Sequence, residues 1–318
     1  MKLRCPSCQS VNQNKVDSIS RQVLSDGYMQ SFQIDIGPHV PPDILTVDLL
    51  ECSECSLRWY SPLFTGSAEF YETLQQFDWY YQGEKPEYVH AASMIPASAS
   101  VLDVGCGRGA FASHLSNGQR YRGLEFNDVA VKKATAAGLD VVVRSIETEA
   151  DINPAAYDVV CHFQVLEHVE DSFGFMSACV RALKPGGILL VTVPSEDSFL
   201  TVASSCWLNM PPHHVTRWTD KAMQHLAVKL ELTMLNVWHE PVAESQLSYY
   251  RLVLSAFAVR NVMGMPNRLE DSSFTSRLAN RVARVGWLSS WLVNRAENTF
   301  QYAGSGHSVC FTARKPDG

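Results

Sequence analysis

The stretch VLDVGCGRGAF, residues 101–111, joins a short apolar strand to three glycines at alternate positions, Gly105, Gly107 and Gly109. A strand that runs directly into closely spaced glycines lets a ligand approach the backbone, as in nucleotide-binding βαβ units. The dinucleotide pattern G-x-G-x-x-G is not matched, because the third glycine comes one position early, and no G-K-[ST] follows for a phosphate-binding loop. Glu125 lies 20 positions after Gly105, at the spacing of an acidic residue that accepts the hydroxyls of a ribose.

A further carboxylate, Asp103, lies at the end of the same strand, beside the glycines. It would repel a pyrophosphate and attract a cation. The local sequence therefore predicts a site for a nucleoside that carries a positively charged substituent. The alternative is a plain strand–turn–helix in which the glycines serve backbone geometry alone.

Strand and helix patterns alternate around this loop between residues 97 and 241. Strand-like runs such as YRGLEF, YDVVCHF and GILLVTVP are separated by runs that predict helices, such as GAFASHLSN at residues 109–117, and HSVCFTARKP adds a last strand near the end of the chain. This alternation predicts an α/β fold, with a Rossmann-like, doubly wound sheet covered by helices on both faces. Residues 242–304 lack a strand pattern and contain two long amphipathic stretches, which predict a helical cap inserted before the last strand.

Four of the nine cysteines form two C-x-x-C pairs, Cys5 with Cys8 and Cys52 with Cys55. Two such pairs supply four sulfurs for a closed, tetrahedral Zn²⁺ site, and a site with four cysteine ligands is structural rather than catalytic. A redox C-x-x-C would begin a helix within a βαβ unit, and neither pair does. The other alternative is two unrelated thiol pairs.

These patterns divide the chain into five units. We predict a zinc-ribbon-like module, a helical connector, a nucleoside-binding core, a helical cap and a last core strand, over residues 1–62, 63–96, 97–241, 242–304 and 305–318.

The composition indicates which molecular partners and which cellular compartment to expect. The formal net charge is −7, whereas a domain that grips nucleic acid is usually basic, so we do not expect a nucleic-acid partner. The sequence shows neither a secretory apolar segment after the first residues nor a run of apolar residues long enough to span a membrane. An odd number of cysteines with two C-x-x-C pairs favours a reducing, cytoplasmic location.

Four motifs, VLDVGCGRGAF, GLEFN, YDVVCHFQVLEHVED and LKPGGILLVTVPS, resemble the successive motifs of class I S-adenosylmethionine-dependent methyltransferases, in order, over roughly residues 97–240. The cysteine-rich start, the WYY segment at 79–81 and PPHHVTRWT resemble a subgroup of that family. In this subgroup a cysteine-rich module precedes a domain like those of ubiquinone-type O-methyltransferases and of sugar and natural-product methyltransferases. The resemblance implies a seven-stranded sheet whose last strand is antiparallel.

The resemblance also implies which residues contact the cofactor, S-adenosylmethionine. Glu125 would bind its ribose, and Phe126 would lie against its adenine, although ordinary core packing is the alternative for Phe126 and for Ile146. The loop residues beside its methionine part would be Asp103, Gly105, Cys106, Gly107 and Gly109. Contacts with the adenine and with the methyl donor would come from Ser145, Ile146, Phe163, Gln164 and Val165.

The segment MPPHHVTRWT follows the fifth strand, on the side where parallel sheets bind ligands. A histidine with a pKa near 6.5 can take a proton from an acceptor as the methyl group arrives. We predict His213 or His214, with a slight preference for His214, as the base or as a substrate-orienting group; the alternative is that they hydrogen-bond the loop backbone. Some quinone-pathway relatives carry E-x-x-E-H at residues 164–168, but Gln164 replaces the first glutamate here. We therefore expect the remaining Glu-His pair to cap and orient the following helix rather than to bind a catalytic metal.

The predicted function is transfer of a methyl group to an O, N or C nucleophile of a small molecule, by direct in-line attack in which the enzyme contributes mainly alignment. One alternative is an RNA methyltransferase whose ribbon holds the RNA; the few basic residues in 1–62 disfavour it. Another is a non-catalytic interaction protein on the same scaffold. The helical cap could also pair two copies of the chain as a homo-oligomer.

Overall fold

A computed structural model describes residues 3–77, 83–270, 277, 281, 286–298 and 304–317. The WYY segment and most of the predicted cap between 271 and 285 lie outside these residues. The strands are β1 Gln13–Ser20, β2 Thr46–Cys52, β3 Arg58–Ser61, β4 Ser100–Val104, β5 Arg120–Leu124, β6 Val141–Val142, β7 Tyr157–Phe163, β8 Leu183–Pro194, β9 Thr216–Arg217, β10 Thr233–Pro241 and β11 Ser305–Arg314. The α-helices are α1 Arg21–Phe32, α2 Ala68–Leu74, α3 Pro86–Ser93, α4 Asp128–Ala136, α5 Ile146–Ile152, α6 Ser172–Ala182, α7 Asp220–Lys229, α8 Leu247–Val262 and α9 Gly286–Glu297.

The larger sheet has seven strands in the order β10-β11-β8-β7-β4-β5-β6. β4 pairs in parallel with β5 and β7, β7 with β8, and β5 with β6, whereas β11 is antiparallel to both of its neighbours. The predicted doubly wound α/β fold with an antiparallel last strand is therefore confirmed. Because parallel strands end at the same edge, the segments that follow β4, β5 and β7 lie close together.

Local capping fixes where the core helices begin. Asn127 accepts a hydrogen bond from the Ala130 amide at the start of α4, as N-cap residues do. The run GAFASHLSN, predicted to be a full helix, forms only the short 3-10 helix Ala110–His114. Its N-cap is Gly109, which has no side chain to satisfy the first amides, and Leu115 is already extended at its other end.

The N-terminal segment forms a second, four-stranded sheet in the order β1-β2-β3-β9. β9 belongs to the chain that follows the larger sheet's β8, and it pairs with β3 through Arg58–Arg217 and Trp59–Thr216. Trp59 lies in the same apolar cluster as residues of the larger sheet. The N-terminal sheet is therefore completed by a strand from the core. This pairing holds the segment around residue 214 against the N-terminal sheet.

A buried ion network holds this junction together. Glu196 accepts hydrogen bonds from Arg58 Nη1 and Arg217 Nε, both at 2.7 Å. The side chains of Glu196 and Arg217 are only 2% and 5% exposed. Their charges are therefore compensated by each other rather than by water.

Replacing Glu196 with alanine should lower the free energy of unfolding by about 3–5 kcal/mol, because it leaves a buried guanidinium without its counter-charge. Denaturant unfolding followed by tryptophan fluorescence measures the loss. Arg181→Ala is the control, since its pair with Asp151 is exposed at both ends and should be worth less than ~1 kcal/mol. Equal losses for the two variants would contradict the role assigned to the buried network.

Two helices of the region predicted as a cap, α8 and α9, lie within the described residues. They pack on each other and form one apolar cluster with the short 3-10 helix Phe199–Val202. Tyr250 of α8 donates a hydrogen bond to Glu297 of α9 at 2.6 Å. Within the described residues, no helix is both long and apolar enough to cross a membrane.

Candidate functional site

The glycine loop is built from left-handed backbone, with φ of +72° at Gly105, +56° at Gly107 and +75° at Gly109. A Cβ added to Gly105 would lie 2.6 Å from Cγ2 of Val165. Glycine is therefore required at 105 both by its backbone angle and by its neighbour. The Gly105 amide also donates to the Leu124 carbonyl at 2.8 Å, which ties the loop to the end of β5.

Gly105→Ala should lower stability by more than Gly138→Ala does, which makes Gly138 a matched control. Both glycines have a positive φ, but nothing lies within 4 Å of a Cβ added to Gly138. Each variant should pay about 1–2 kcal/mol for the left-handed backbone, and Gly105→Ala should lose about 1–3 kcal/mol more from overpacking against Val165. Denaturant midpoints measure both. Adding Val165→Ala to Gly105→Ala should recover part of the difference, and no recovery would rule out the contact as its cause.

Glu125 lies at the end of β5 with both carboxylate oxygens anchored by backbone amides. Its Oε2 accepts from the Gly107 amide and its Oε1 from the Asn127 amide, both at 2.8 Å. Each oxygen keeps a second lone pair, so the carboxylate can also accept hydrogen bonds from two neighbouring hydroxyls. The side chain of the adjacent Phe126 is 71% exposed and lies outside the apolar core.

Asp103 is buried at the carboxyl end of β4 and is 2% exposed. Burial raises the pKa of its carboxyl group to about 7, while a hydrogen bond from the Tyr121 hydroxyl at 3.0 Å acts in the opposite direction. The nearby Glu125 carboxylate raises the pKa further. A cation at this edge would lower the free-energy cost of keeping two neighbouring carboxylates ionised. Burial, together with the Asp103 and Glu125 carboxylates, also raises the pKa of the Cys106 thiol, which keeps the thiol neutral.

The two residues predicted to lie near the adenine after the third core strand, Ser145 and Ile146, have different surroundings. Ser145 is the N-cap of α5, where its hydroxyl accepts from the Thr148 amide at 3.2 Å. The side chain of Ile146 is 2% exposed and belongs to the main apolar cluster. For Ile146, the structure therefore shows the core-packing alternative.

The residues predicted beside the methyl donor lie at the end of β7. Phe163 packs on Tyr88 and Phe111, with ring centroids 4.9 and 4.6 Å away. Gln164 follows with a φ of +58°, and its Nε2 donates to the Ser308 hydroxyl at 3.1 Å. Val165 comes next and contacts the Gly105 position, so the end of β7 and the glycine loop form one edge.

Three residues after Val165, at His168, the chain contributes to a cluster of three histidines. The rings of His168, His213 and His214 pack with centroid distances of 4.4–4.8 Å, and one nitrogen of each lies within 4.8 Å of the others. The 3-10 turn Leu166–His168 places the first histidine, and the Val215 amide, which donates to the Glu167 carbonyl at 2.8 Å, fixes the other two beside it. The sequence prediction paired His213 and His214 but left out His168.

Each ring is oriented by an oxygen at Nδ1. His168 Nδ1 lies 2.6 Å from the His213 carbonyl, and His213 Nδ1 lies 2.8 Å from the Leu208 carbonyl. His214 Nδ1 lies 3.0 Å from Asn209 Oδ1. Since these oxygens can only accept, each Nδ1 carries the hydrogen, and the lone pair of each neutral ring is on Nε2. Burial lowers the pKa of His168 to about 4, and the pKa values of His213 and His214 well below their ordinary range, so all three are neutral at pH 7.

Glu167 lies against this cluster and is 1% exposed. Its Oε1 is 3.9 Å from Nε2 of both His168 and His214. Neither carboxylate oxygen has a hydrogen-bond partner within the described part of the chain. Burial raises the pKa of this carboxyl group to about 8.

The expectation that Glu167 and His168 cap the next helix is wrong. The N-cap of α6 is Asp171, whose Oδ1 accepts from the Gly174 amide at 3.0 Å. Asp171 is the third residue after His168 and belongs to the residue types preferred at the N-cap.

The four cysteines of the N-terminal pairs come together, and all four are buried. Cys5 Sγ lies 3.7 Å from Cys55 Sγ, and Cys8 Sγ lies 3.4 Å from Cys52 Sγ. Sulfurs bound to one tetrahedral zinc ion are about 3.8 Å apart, given Zn–S bonds of about 2.3 Å.

Comparison with known proteins gives one family and several relatives. A methyltransferase domain model matches residues 77–237. A ubiquinone biosynthesis O-methyltransferase from Idiomarina loihiensis is 35% identical over 130 residues, which are 38% of this chain and 51% of the relative. One from Sodalis glossinidius is 38% identical over 137 residues, 39% of this chain and 55% of the relative. The chain thus spans about half the length of these curated relatives.

Two solved structures illustrate the structural similarity. A SAM-dependent methyltransferase from Archaeoglobus fulgidus is 18% identical with a TM-score of 0.45, over 79% of this chain and 95% of that one. Coclaurine N-methyltransferase bound to N-methylheliamine and SAH is 15% identical with a TM-score of 0.44, over 71% of this chain and 69% of that one.

Proposed function

This chain belongs to the methyltransferase-domain family, and from that premise we propose that it transfers the methyl group of S-adenosylmethionine to a small-molecule acceptor. The observation that carries the proposal is Glu125, held by the amides of Gly107 and Asn127 at the edge formed by the glycine loop. This is the geometry that a ribose diol requires from a carboxylate.

The residues at this edge fit the cofactor. The left-handed glycines at 105, 107 and 109 leave the loop without side chains at alternate positions, and the exposed Phe126 can offer its ring to the adenine. Asp103 supplies a carboxyl group where the positively charged part would lie. When bound, the cofactor supplies an electrophilic methyl group on a sulfonium centre. The chain's own contribution is to hold the donor and the acceptor in line, and alignment can remove much of the barrier.

A small-molecule acceptor is supported by the names of the relatives, which include ubiquinone biosynthesis O-methyltransferases. The net charge of −7 also disfavours nucleic acid. For the acceptor side we keep His213 and His214 as the groups that orient the acceptor or take its proton. Both are neutral at pH 7, and the hydrogen bond from the Val215 amide to the Glu167 carbonyl holds their segment beside the residues that follow β7.

The buried cysteine cluster supports a structural zinc ion bound by Cys5, Cys8, Cys52 and Cys55. Four sulfurs leave no open position for substrate. None of the nine cysteines, all of which the structure describes, forms a disulfide bond, and we propose a reducing, cytoplasmic location.

Isothermal titration of the full chain with S-adenosylmethionine tests the proposal. We expect one site per chain, and release of S-adenosylhomocysteine when a panel of phenols, catechols and small amines is supplied. The proposed function would be rejected if the native protein bound neither S-adenosylmethionine nor S-adenosylhomocysteine. Binding with no turnover on any acceptor, together with capture of one stable protein partner, would favour the non-catalytic scaffold.

A further inference from the structure

We propose that His168, His213 and His214 form a second metal site, completed by the Glu167 carboxylate, that binds a divalent transition-metal ion of the zinc type. The site is separate from the four cysteines and from the cofactor residues. It includes His213 and His214, which with a metal ion on Nε2 would orient the acceptor and would not take its proton. It does not depend on methyl transfer being the correct function.

The donor atoms are already gathered. One nitrogen of each histidine lies within 4.8 Å of the others, and Glu167 Oε1 lies 3.9 Å from Nε2 of His168 and of His214. Nitrogens on one tetrahedral zinc ion are about 3.4 Å apart, since Zn–N bonds are about 2.1 Å. Small ring rotations would therefore bring the set to bonding distance.

The rings are also oriented as metal ligands are. A histidine that binds a metal through one nitrogen almost always donates its other N–H to an oxygen. Here each Nδ1–H is directed at an oxygen: the carbonyls of His213 and Leu208, and Oδ1 of Asn209. This leaves the Nε2 lone pair as the donor atom of each ring.

Glu167 gives a second and independent indication. A carboxyl group that is 1% exposed, with no hydrogen-bond partner in the described structure, is costly in either protonation state. A bound dication would give both of its oxygens a partner and compensate the charge of the ionised form. The imidazole donors favour zinc or a similar transition ion over magnesium or calcium, which prefer oxygen ligands.

The ligand set differs from an E-x-x-E-H arrangement. Gln164, at the position of the first glutamate, turns its Nε2 to Ser308 at 3.1 Å and faces Glu87 at 3.5 Å. The consecutive pair His213 and His214, which comes 45 positions after His168, supplies the donors instead.

The test is zinc stoichiometry of the purified full chain, titrated with Zn²⁺ against a chromogenic chelator without any cofactor present. We expect two equivalents for the native chain and one for His168→Gln and for His214→Gln. Glu167→Gln should bind the second equivalent at least tenfold more weakly. His225→Gln is the control, because His225 is a half-buried histidine of α7, and it should keep both equivalents.

Cobalt substitution separates the two sites by colour. Cobalt bound by four thiolates absorbs strongly in the near ultraviolet through sulfur-to-metal charge transfer, whereas a nitrogen and oxygen site contributes weaker visible bands alone. His168→Gln should remove the weaker bands and leave the strong ones. Circular dichroism and S-adenosylmethionine titration of the same variant check that it folds and binds cofactor. One equivalent in the native chain, lost entirely in Cys52→Ser and unaffected by His168→Gln, would overturn the second site.

Discussion

Glu125→Ala is expected to weaken S-adenosylmethionine binding by about 100-fold or more. The substitution removes the acceptor for two ribose hydroxyls, and hydrogen bonds to a charged group contribute about 1.5–3 kcal/mol each. Two of them amount to about 3 kcal/mol at the low end, and each 1.4 kcal/mol is about a factor of ten. The loop itself should also loosen, because the amides of Gly107 and Asn127 both lose their partner. Isothermal titration with S-adenosylmethionine and with S-adenosylhomocysteine measures the effect.

Glu147→Ala is the matched control for this experiment. Glu147 is an exposed acidic residue in the first turn of α5, so its removal changes the net charge by the same amount. Its cofactor affinity should stay within about twofold of the native value, since a lone surface charge contributes little. The cofactor affinity of Glu125→Gln should fall between those of Glu125→Ala and Glu147→Ala, because the amide keeps one acceptor oxygen but turns an N–H₂ group toward a backbone donor. An unchanged affinity in Glu125→Ala would remove the main support for the proposed cofactor site.

The cofactor edge could be predicted from the sequence because its signals are local. The strand at 100–104 is a short apolar run, the glycines follow it directly, and Glu125 lies at a fixed spacing that one βαβ unit determines. Helix periodicity and capping residues locate the surrounding elements in the same way. The sequence was less informative at residues 110–118, where an apparent helical pattern gives only one 3-10 turn because no capping side chain precedes it.

The histidine cluster could not be predicted, because its members are distant in sequence. His168 lies 45 positions before His213, and the local pattern around it favoured a helix cap. The two segments meet only because the chain after β8 returns to pair β9 with β3 and to bond Val215 to the backbone of Glu167. That return depends on the buried Glu196 network, in which the partners come from three parts of the chain. Pairings of this kind follow from tertiary packing rather than from propensity.

Cys52→Ser should remove about one equivalent of zinc and lower the melting temperature by about 10 °C. Structural zinc sites contribute their binding free energy to folding, and apparent values in small zinc modules are about 10–16 kcal/mol. A larger chain retains much of its own core, so we expect the loss of one ligand to cost about 4–5 kcal/mol, at about 2–4 °C for each kcal/mol. Cys52 ends β2 and is fully buried in the apolar cluster that also contains Trp59, so the effect should reach the core. Calorimetry and metal analysis on the same preparation measure it.

Cys206→Ser provides the comparison, because Cys206 is a partly buried thiol outside both cysteine pairs. It should keep the native zinc content and lose no more than ~1–2 kcal/mol, the range of an ordinary partly buried substitution. The native chain treated with a strong chelator should melt at or below the temperature of Cys52→Ser, since both lack the ion bound by the cysteines. If the second metal site is also present, the chelator should remove two equivalents while Cys52→Ser loses one. A Cys52→Ser variant that retains its full zinc content and its native melting temperature would show that the buried sulfurs pack as ordinary thiols, because a tetrahedral site cannot lose a ligand without cost.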